Sequence, residues 1–144
     1  MTEIEQRAAV ITEAKRWLRT PYHHHARVLG AGVDCAMFLI AAYSAAGVIE
    51  DFDPGYYPMD WMLHRSDERY LGKIQERAKE IEFPPCMGDL VVYKIGRCFA
   101  HGAIVIEWPL AIHSRMPTGV EMIDLHVDKY FDLRPRKFYT LWGK

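Results

Sequence analysis

The sequence predicts a single α+β domain, because helical patterns come first and strand patterns follow. Apolar residues recur at helical spacing near the N terminus, a second and almost wholly apolar helix comes next, and short β-rich runs fill the chain after residue 85. Segregated helices and strands are typical of α+β rather than of alternating α/β architecture. With 144 residues, half of them apolar, the chain can bury its own core without metals or disulfides.

Two N-terminal helices are predicted in detail. An apolar stripe over residues 2–19 indicates the first helix, which Thr20-Pro21 ends because the residue before proline avoids the α conformation. A loop over residues 22–33 follows. Asp34 then stands where an N-cap belongs, before the run CAMFLIAAYSAAG, and Gly47 is a plausible C-cap. This second helix is apolar on nearly every side, so we expect it to be central and buried.

The remainder is predicted to be irregular, then helical, then β. Residues 50–66 look irregular, residues 67–81 predict an amphipathic helix, and about 50–84 is interpreted as an insertion in one domain spanning residues 1–144. Strands in quick succession suggest an antiparallel meander. The predicted strands cover residues 89–95, 101–107, 110–114, 119–123 and 136–142.

Charge and cysteine content narrow the function classes. A net charge of -1 gives no reason to expect a nucleic acid or an anionic membrane as partner. Three cysteines, an odd number without regular spacing, argue against a disulfide framework and favour a reducing compartment. The opening MTEIEQRAAV has no apolar core of a secretory signal, and no apolar run approaches the ~20 residues of a membrane span. We therefore expect synthesis in the cytoplasm.

Cys35 is the residue best suited to nucleophilic chemistry. It follows the predicted N-cap Asp34 and opens the buried helix. The positive end of the helix dipole and the amide donors there favour a thiolate, and a nearby imidazolium can bring a cysteine pKa from ~8.5 to well below neutrality. A free cysteine can equally be an inert part of a core, so its position alone leaves a structural role open.

His101 and His113 are the second candidates. His101 begins the run HGAIVIE, and His113 lies in the next run, LAIHS. A hairpin with its turn centred on Glu107 places the two histidines directly opposite each other, on one face of the sheet with Cβ atoms ~4.5–5.5 Å apart. A hydrogen-bonded pair at a sheet edge is the alternative. With Cys35, the pair supplies a nucleophile, a general base and a group that orients the base.

Three consecutive histidines, His23, His24 and His25, raise the question of a metal site. Adjacent side chains in an extended segment point in alternate directions, so at most two of the three converge. Neither a Cys-x-x-Cys pair nor a His-Glu-x-x-His helix completes a zinc site. We expect no metal and no cofactor, and we interpret the segment as a loop that lines a substrate cleft.

Four further residues are weaker candidates. The Tyr22 hydroxyl could stabilise an oxyanion together with the Cys35 backbone N–H, although spacing alone favours an ordinary half-buried tyrosine. Cys86 follows two prolines and Cys98 lies in a predicted hairpin loop, so neither has the setting of a nucleophile. Asp89 is interpreted as a structural residue at a turn into a strand.

The segments TPYHHHARVLGAGVDCAMFLIAAYSAAG, GDLVVYKI, HGAIVIE and AIHS follow an order and spacing that resemble the NlpC family of papain-like cysteine peptidases. The similarity runs from about Thr20 to Trp142, is interrupted at residues 50–84, and is most like the branch found in phage and prophage tails. It implies a papain-like α+β core, in which the nucleophile's helix packs on an antiparallel sheet that carries the histidines.

The resemblance also implies roles and partners. The family's nucleophile falls on Cys35, its general base on His101, its third polar residue on His113 and its oxyanion tyrosine on Tyr22. The implied activity is hydrolysis of amide bonds in peptidoglycan stem peptides, often between D-γ-glutamyl and diamino acid residues, without a cofactor. Phage tail proteins are the further partners implied, and a tail would carry the protein out of the cytoplasm.

One dipeptide departs from the family pattern. The family has Ser-Gly after Asp-Cys where this chain has Ala36-Met37, so Met37 is expected to narrow or reshape the substrate site. This difference and the insertion at 50–84 leave an alternative open, a catalytically inactive tail-assembly or cell-wall-binding module on the same fold. Acyl transfer by the same three residues is a further alternative.

Overall fold

A computed structural model describes residues 1–55 and 69–143. Helix α1 (Glu3–Arg16) and helix α2 (Cys35–Ala45) come first, with a small hairpin of β1 (Arg27–Val28) and β2 (Gly32–Val33) between them. The later elements are α3 (Arg69–Gln75), β3 (Lys79–Ile81), β4 (Leu90–Ile95), β5 (Cys98–Glu107), β6 (Leu110–Arg115), β7 (Gly119–Asp124), α4 (Lys129–Asp132) and β8 (Arg136–Thr140). The predicted α+β class is confirmed.

Within residues 1–55 and 69–143, six antiparallel strands form the main sheet, in the order β3-β8-β4-β5-β6-β7. The consecutive strands β4 to β7 are the predicted meander. The last strand does not continue it, because α4 leads the chain back and β8 pairs with β4 on the other side. Helix α2 packs against β5 and β6, while α1 packs against α2. Among the described residues, no helix combines the length and apolar character that a bilayer span requires.

Local chemistry explains where the first two helices begin. Thr2 and Glu5 form a capping box at the start of α1, and Asp34 caps α2 by accepting the N–H of Met37. Helix α1 ends at the C-cap Trp17, slightly before the predicted end. The prediction that α2 is buried is confirmed, because its middle residues lie inside the core: Phe38, Leu39, Ile40, Ala41, Ala42 and Tyr43.

Side chains of the central strands alternate between two cores, as the two-residue period of a strand requires. The core between the sheet and the helices contains Phe38, Ile104 and Ile112. The core on the opposite face, beneath α4, contains Val105 and Phe131. His101 and His113 occupy positions on β5 and β6 whose side chains point to this second face, since alternate residues of a strand share a face.

Two local predictions are wrong in part. The predicted helix over 67–81 is helical only from Arg69 to Gln75 within the described residues, and Lys79–Ile81 forms strand β3 because its backbone pairs with β8. Residues 67–68, and the part of the irregular segment after residue 55, lie outside the described residues. The loop over 22–33 contains the β1–β2 hairpin. The assignment of 50–84 as an insertion stays a prediction.

Candidate active site

Cys35 is the first residue of α2, and the helix cap fixes its place. Oδ1 of Asp34 accepts the N–H of Met37 at 2.9 Å. The Asp34 side chain is buried, so this bond is made away from water and holds the first turn firmly. The thiol of Cys35 is half-buried and donates to the carbonyl of Ala100 at 3.8 Å. The sulfur therefore lies beside the residue that precedes His101.

Strands β5 and β6 separate where they carry the histidines. Their pairing ends at Ile104 and Ile112, so the segments beyond these residues are not held together by ladder hydrogen bonds. The chain that leads into α2 contacts both sides of this opening. On the β6 side, Oγ of Ser114 donates to the carbonyl of Val33 at 2.9 Å. On the β5 side, the Cys35 thiol contacts the carbonyl of Ala100.

His101 and His113 meet across the opening. Nε2 of His101 lies 2.8 Å from Nδ1 of His113, and both side chains are buried. The prediction that the two share a sheet face is confirmed, but the predicted register is wrong. Val105 pairs with Ala111, which shifts β6 by two residues relative to a turn centred on Glu107. An even shift keeps every side chain on its face, so the histidines meet diagonally instead of directly.

The hydrogen bonds continue from His113 to strand β7. Nε2 of His113 lies 2.9 Å from Oε2 of Glu121, and Nε of Arg115 lies 2.9 Å from the same oxygen. Arg115 also binds Asp128, the N-cap of α4, at 2.6 Å. Sequence reasoning missed Glu121, Arg115 and Asp128. The available signal was the β6–β7 register, in which His113 and Glu121 are directly opposite.

Phe131 of α4 covers the two imidazoles. Its ring stacks on His101 with 5.2 Å between centroids and contacts His113 edge-on. Burial lowers the pKa of His101 well below its ordinary 6.5, and His113 and Arg115 lower that pKa further. Burial, then Arg115, lowers the pKa of His113 to about 3. Both rings are therefore neutral at pH 7, and the contact of His113 with Glu121 is a hydrogen bond instead of an ion pair.

Tyr22 lies near Cys35 and interacts with it electrostatically. Its backbone forms an isolated parallel bridge with Val33. Burial raises the pKa of the Tyr22 hydroxyl, and negative charge at Cys35 and Asp34 raises that pKa further. The hydroxyl consequently stays protonated at neutral pH and is available as a hydrogen-bond donor near the sulfur.

Two of the three consecutive histidines, His24 and His25, contact the same carboxylate, that of Asp34. The backbone N–H of His25 donates to Oδ2 of Asp34 at 2.6 Å, and Nε2 of His25 lies 3.0 Å from the carbonyl of Gly55. Nδ1 of His24 lies 3.9 Å from Oδ2 of Asp34. Over residues 1–55 and 69–143, no three or more His, Cys, Asp or Glu side chains come together as a metal site would require.

An open groove runs beside the start of α2. Met37 lines this groove, and its expected effect on the substrate site stays a prediction. Of the three consecutive histidines, His25 is part of the described lining. The groove also carries a cation and two carboxylates. Its described lining comprises His25, Arg27, Met37, Asp51, Phe52 and Asp53.

The other cysteines and Asp89 lie away from this site. Cys86 is exposed. Cys98 is fully buried and begins β5 opposite Ile95, so its predicted place in a hairpin loop is wrong. Asp89 is also buried and accepts hydrogen bonds from Arg7 at 2.9 Å and from the Cys86 backbone at 2.8 Å. These bonds tie α1 to the start of β4, a central strand of the sheet.

No protein-family model matches the chain, and no curated protein matches it in sequence. Solved structures do match. The NlpC/p60 domain of the peptidoglycan hydrolase SagA is 20% identical, with a TM-score of 0.62 over 91% of this chain and 96% of that one. The P60 domain of an antigen from M. avium subspecies paratuberculosis is 15% identical, with a TM-score of 0.64 over 98% of both chains.

A third match is longer than this chain. A NlpC/P60 family protein from Bacillus cereus is 23% identical, with a TM-score of 0.63 over 91% of this chain and 39% of that one. Identities this low establish the fold alone. The chain therefore has the α+β papain-like fold of NlpC/p60 domains, with a helix that begins at Cys35 packed on an antiparallel sheet.

Proposed function

We propose that the chain is an NlpC-type cysteine peptidase that hydrolyses amide bonds in peptidoglycan stem peptides. The observation that carries the proposal is the 2.8 Å hydrogen bond between His101 and His113 across an opening in the sheet. Cys35 at the start of α2 contacts one side of that opening, and Val33, just before the helix, contacts the other. The similar structures add support, since SagA is a peptidoglycan hydrolase with the same fold.

In the proposed reaction, Cys35 is the nucleophile and His101 is the general base. Nε2 of His101 bonds to His113, so Nδ1 is the nitrogen that takes the thiol proton. The sulfur attacks the scissile carbonyl carbon and forms a tetrahedral intermediate. The Cys35 N–H, at the positive end of α2, and the protonated Tyr22 hydroxyl stabilise its oxyanion.

Breakdown of the intermediate uses the same proton. The His101 imidazolium gives the proton from Nδ1 to the leaving amine as the C–N bond breaks, which leaves an acyl group on Cys35. Water then attacks the thioester and transfers a proton to Nδ1. The second intermediate collapses, the carboxylic acid leaves, and the proton returns to the sulfur. His113 stays neutral throughout and keeps the base in position.

The groove gives a reason for the proposed substrate class. Arg27 binds Asp51 at 2.7 Å, and Asp53 adds a second carboxylate at the same wall. A surface with both signs of charge suits a peptide that carries both carboxylate and ammonium groups, as a stem peptide with glutamyl and diamino acid residues does. Met37 lines the same groove.

Delivery by a phage tail stays a prediction from the sequence resemblance. Tail genes on either side of the coding sequence would support a tail-borne enzyme. The inactive tail-assembly or wall-binding module is the rival reading, and it predicts binding of cell-wall fragments without cleavage.

The experiment is cleavage of purified muropeptides that contain a D-γ-glutamyl–diamino acid bond, followed by mass spectrometry. We expect wild-type protein to release the two fragments, Cys35→Ala to lose at least about 10³-fold in rate, and Cys86→Ala to keep the wild-type rate. Iodoacetamide should also label Cys35 faster than the more exposed Cys86 near neutral pH. Muropeptide binding without cleavage, or equal losses in both variants, would contradict the proposal.

A further inference from the structure

We propose that Glu121 is a positioning residue of the reaction, which fixes through His113 the nitrogen of His101 that carries a proton. The inference rests on the proposed function, because it assigns a role within the same site. Glu121 contacts His113, and His113 contacts His101, so we place its action through the second histidine.

The first step of the argument concerns His113 and Glu121. An ionised carboxylate offers acceptors only, so the 2.9 Å contact requires His113 to donate from Nε2. Arg115 donates to the same oxygen and keeps it an acceptor. A neutral imidazole carries one ring proton, so Nδ1 of His113 must then be an acceptor. The carboxylate thereby selects one of the two tautomers of His113.

The second step is that the tautomer of His113 determines the tautomer of His101, the proposed base. Nδ1 of His113 faces Nε2 of His101 at 2.8 Å, so Nε2 of His101 must be the donor. The single ring proton of His101 then lies on Nε2, and Nδ1 keeps the lone pair that a general base needs. With the opposite tautomers, an acceptor nitrogen would face the carboxylate of Glu121, and Nδ1 of His101 would already be protonated.

The third step concerns the rigidity of this arrangement. Glu121 is held by Arg115, which is held in turn by Asp128, and both contacts are shorter than 3 Å. Asp128 caps α4 by accepting the N–H of Tyr130, and Phe131 of α4 covers both imidazoles. The carboxylate and the aromatic cover are thus fixed by one short helix. When His101 takes up a proton on Nδ1, every hydrogen bond of this series remains as it was.

The experiment compares Glu121→Val with Glu121→Gln. Valine removes the acceptor and suits a strand, so the sheet should still form. Glutamine removes the charge but keeps an amide oxygen that can accept from both His113 and Arg115. Glu107→Val is the matched control, because it removes an exposed carboxylate from the same sheet without contact with the histidines. The readouts are kcat and KM on muropeptide and the ¹⁵N–¹H spectra of the imidazole rings.

We expect Glu121→Val to lower kcat by about 10- to 100-fold with little change in KM, and Glu121→Gln to lose less than about tenfold. The spectra should show the Nε2–H tautomer of both histidines in wild type and in Glu121→Gln, and mixed tautomers in Glu121→Val. Equal kcat losses in both variants, or an unchanged His101 tautomer in Glu121→Val, would overturn the assignment. The spectra need no substrate, so they separate this failure from a wild-type protein that cleaves nothing.

Discussion

The histidine pair (His101 and His113) and the histidine triplet (residues 23–25) are held in different ways. In the pair, the rings bond to each other and to Glu121, and both are buried. In the triplet, a backbone N–H makes a short contact, that of His25 to the Asp34 carboxylate at 2.6 Å. Hydrogen bonds of ring nitrogens therefore hold the pair in place, whereas a backbone hydrogen bond helps to hold the triplet.

This difference shows how the fold brings two imidazoles together. In the triplet, His24 and His25 lie in a turn and both contact Asp34. Within residues 1–55 and 69–143, no group of three His, Cys, Asp or Glu side chains that could hold a metal forms there. Two histidines twelve residues apart converge because a hairpin returns the chain to the same face of the sheet. Burial then keeps the rings neutral, and hydrogen bonds give each ring one defined tautomer.

The largest effect that should separate the two groups is on catalysis. We expect His101→Ala to lower kcat/KM by at least about 10³-fold, because it removes the proposed general base. His113→Ala should cost less, about 10²-fold, because the base remains but is no longer oriented. His23→Ala, at an exposed ring of the triplet, should stay within about threefold. The measurement is steady-state cleavage of muropeptide, and similar losses in all three variants would show that the pair has no special role.

A smaller effect should appear in stability at acid pH. The pKa values of both rings of the pair are lowered in the folded protein, to about 3 for His113, whereas an unfolded histidine titrates near ~6.5. Below pH ~6.5 the unfolded chain binds protons that the folded chain does not, so unfolding becomes more favourable as pH falls. Each ring that stays neutral should lower the free energy of unfolding by about 2 kcal/mol between pH 7 and pH 5.

Urea unfolding at pH 7, 6 and 5 measures this loss. His113→Gln should show about half of the wild-type pH dependence, because one buried titratable ring is gone. His23→Gln is the control and should keep the full dependence, since its ring is exposed. A wild-type free energy of unfolding that does not change over this range would mean that the buried rings accept protons without penalty.

Most of the fold was predictable because its signals are local. The cap Asp34, the apolar run after it and the alternation in the β-rich runs depend on neighbouring residues alone. The strand Lys79–Ile81 was missed because it exists through pairing with β8, which lies more than fifty residues later. Likewise, no local pattern could show that the last strand joins β4 instead of extending the meander.

The site could be predicted where it depends only on the face of the sheet to which a side chain points, because that face alternates along a strand. The predicted register of β5 and β6 was wrong by two residues. Because an even shift keeps each side chain on its face, the prediction that His101 and His113 form a pair was still correct. Glu121 was missed because its role depends on the β6–β7 register, and a one-residue slip there would have turned it away from His113. Asp128 and Phe131 were missed because a four-residue helix has too little periodicity to be recognised.

The smallest expected effect tests whether the triplet depends on backbone conformation. His25 has φ of 60°, a left-handed conformation that costs residues with a Cβ about 1–2 kcal/mol. We expect His25→Gly to change the free energy of unfolding by less than about 1 kcal/mol, because strain relief offsets the added entropy of the unfolded chain. His25→Val should lower it by about 1–2 kcal/mol, because a β-branched residue fits this region worst.

Urea unfolding of both variants at pH 7 provides the measurement. The bond from the residue 25 backbone to Asp34 survives either change, so the two variants differ chiefly in backbone strain. If His25→Gly lowered the free energy of unfolding as much as His25→Val, the contact of the His25 ring with the Gly55 carbonyl would hold the loop instead. The triplet would then depend on a ring nitrogen as the pair does, and the distinction between side-chain and backbone control would no longer hold.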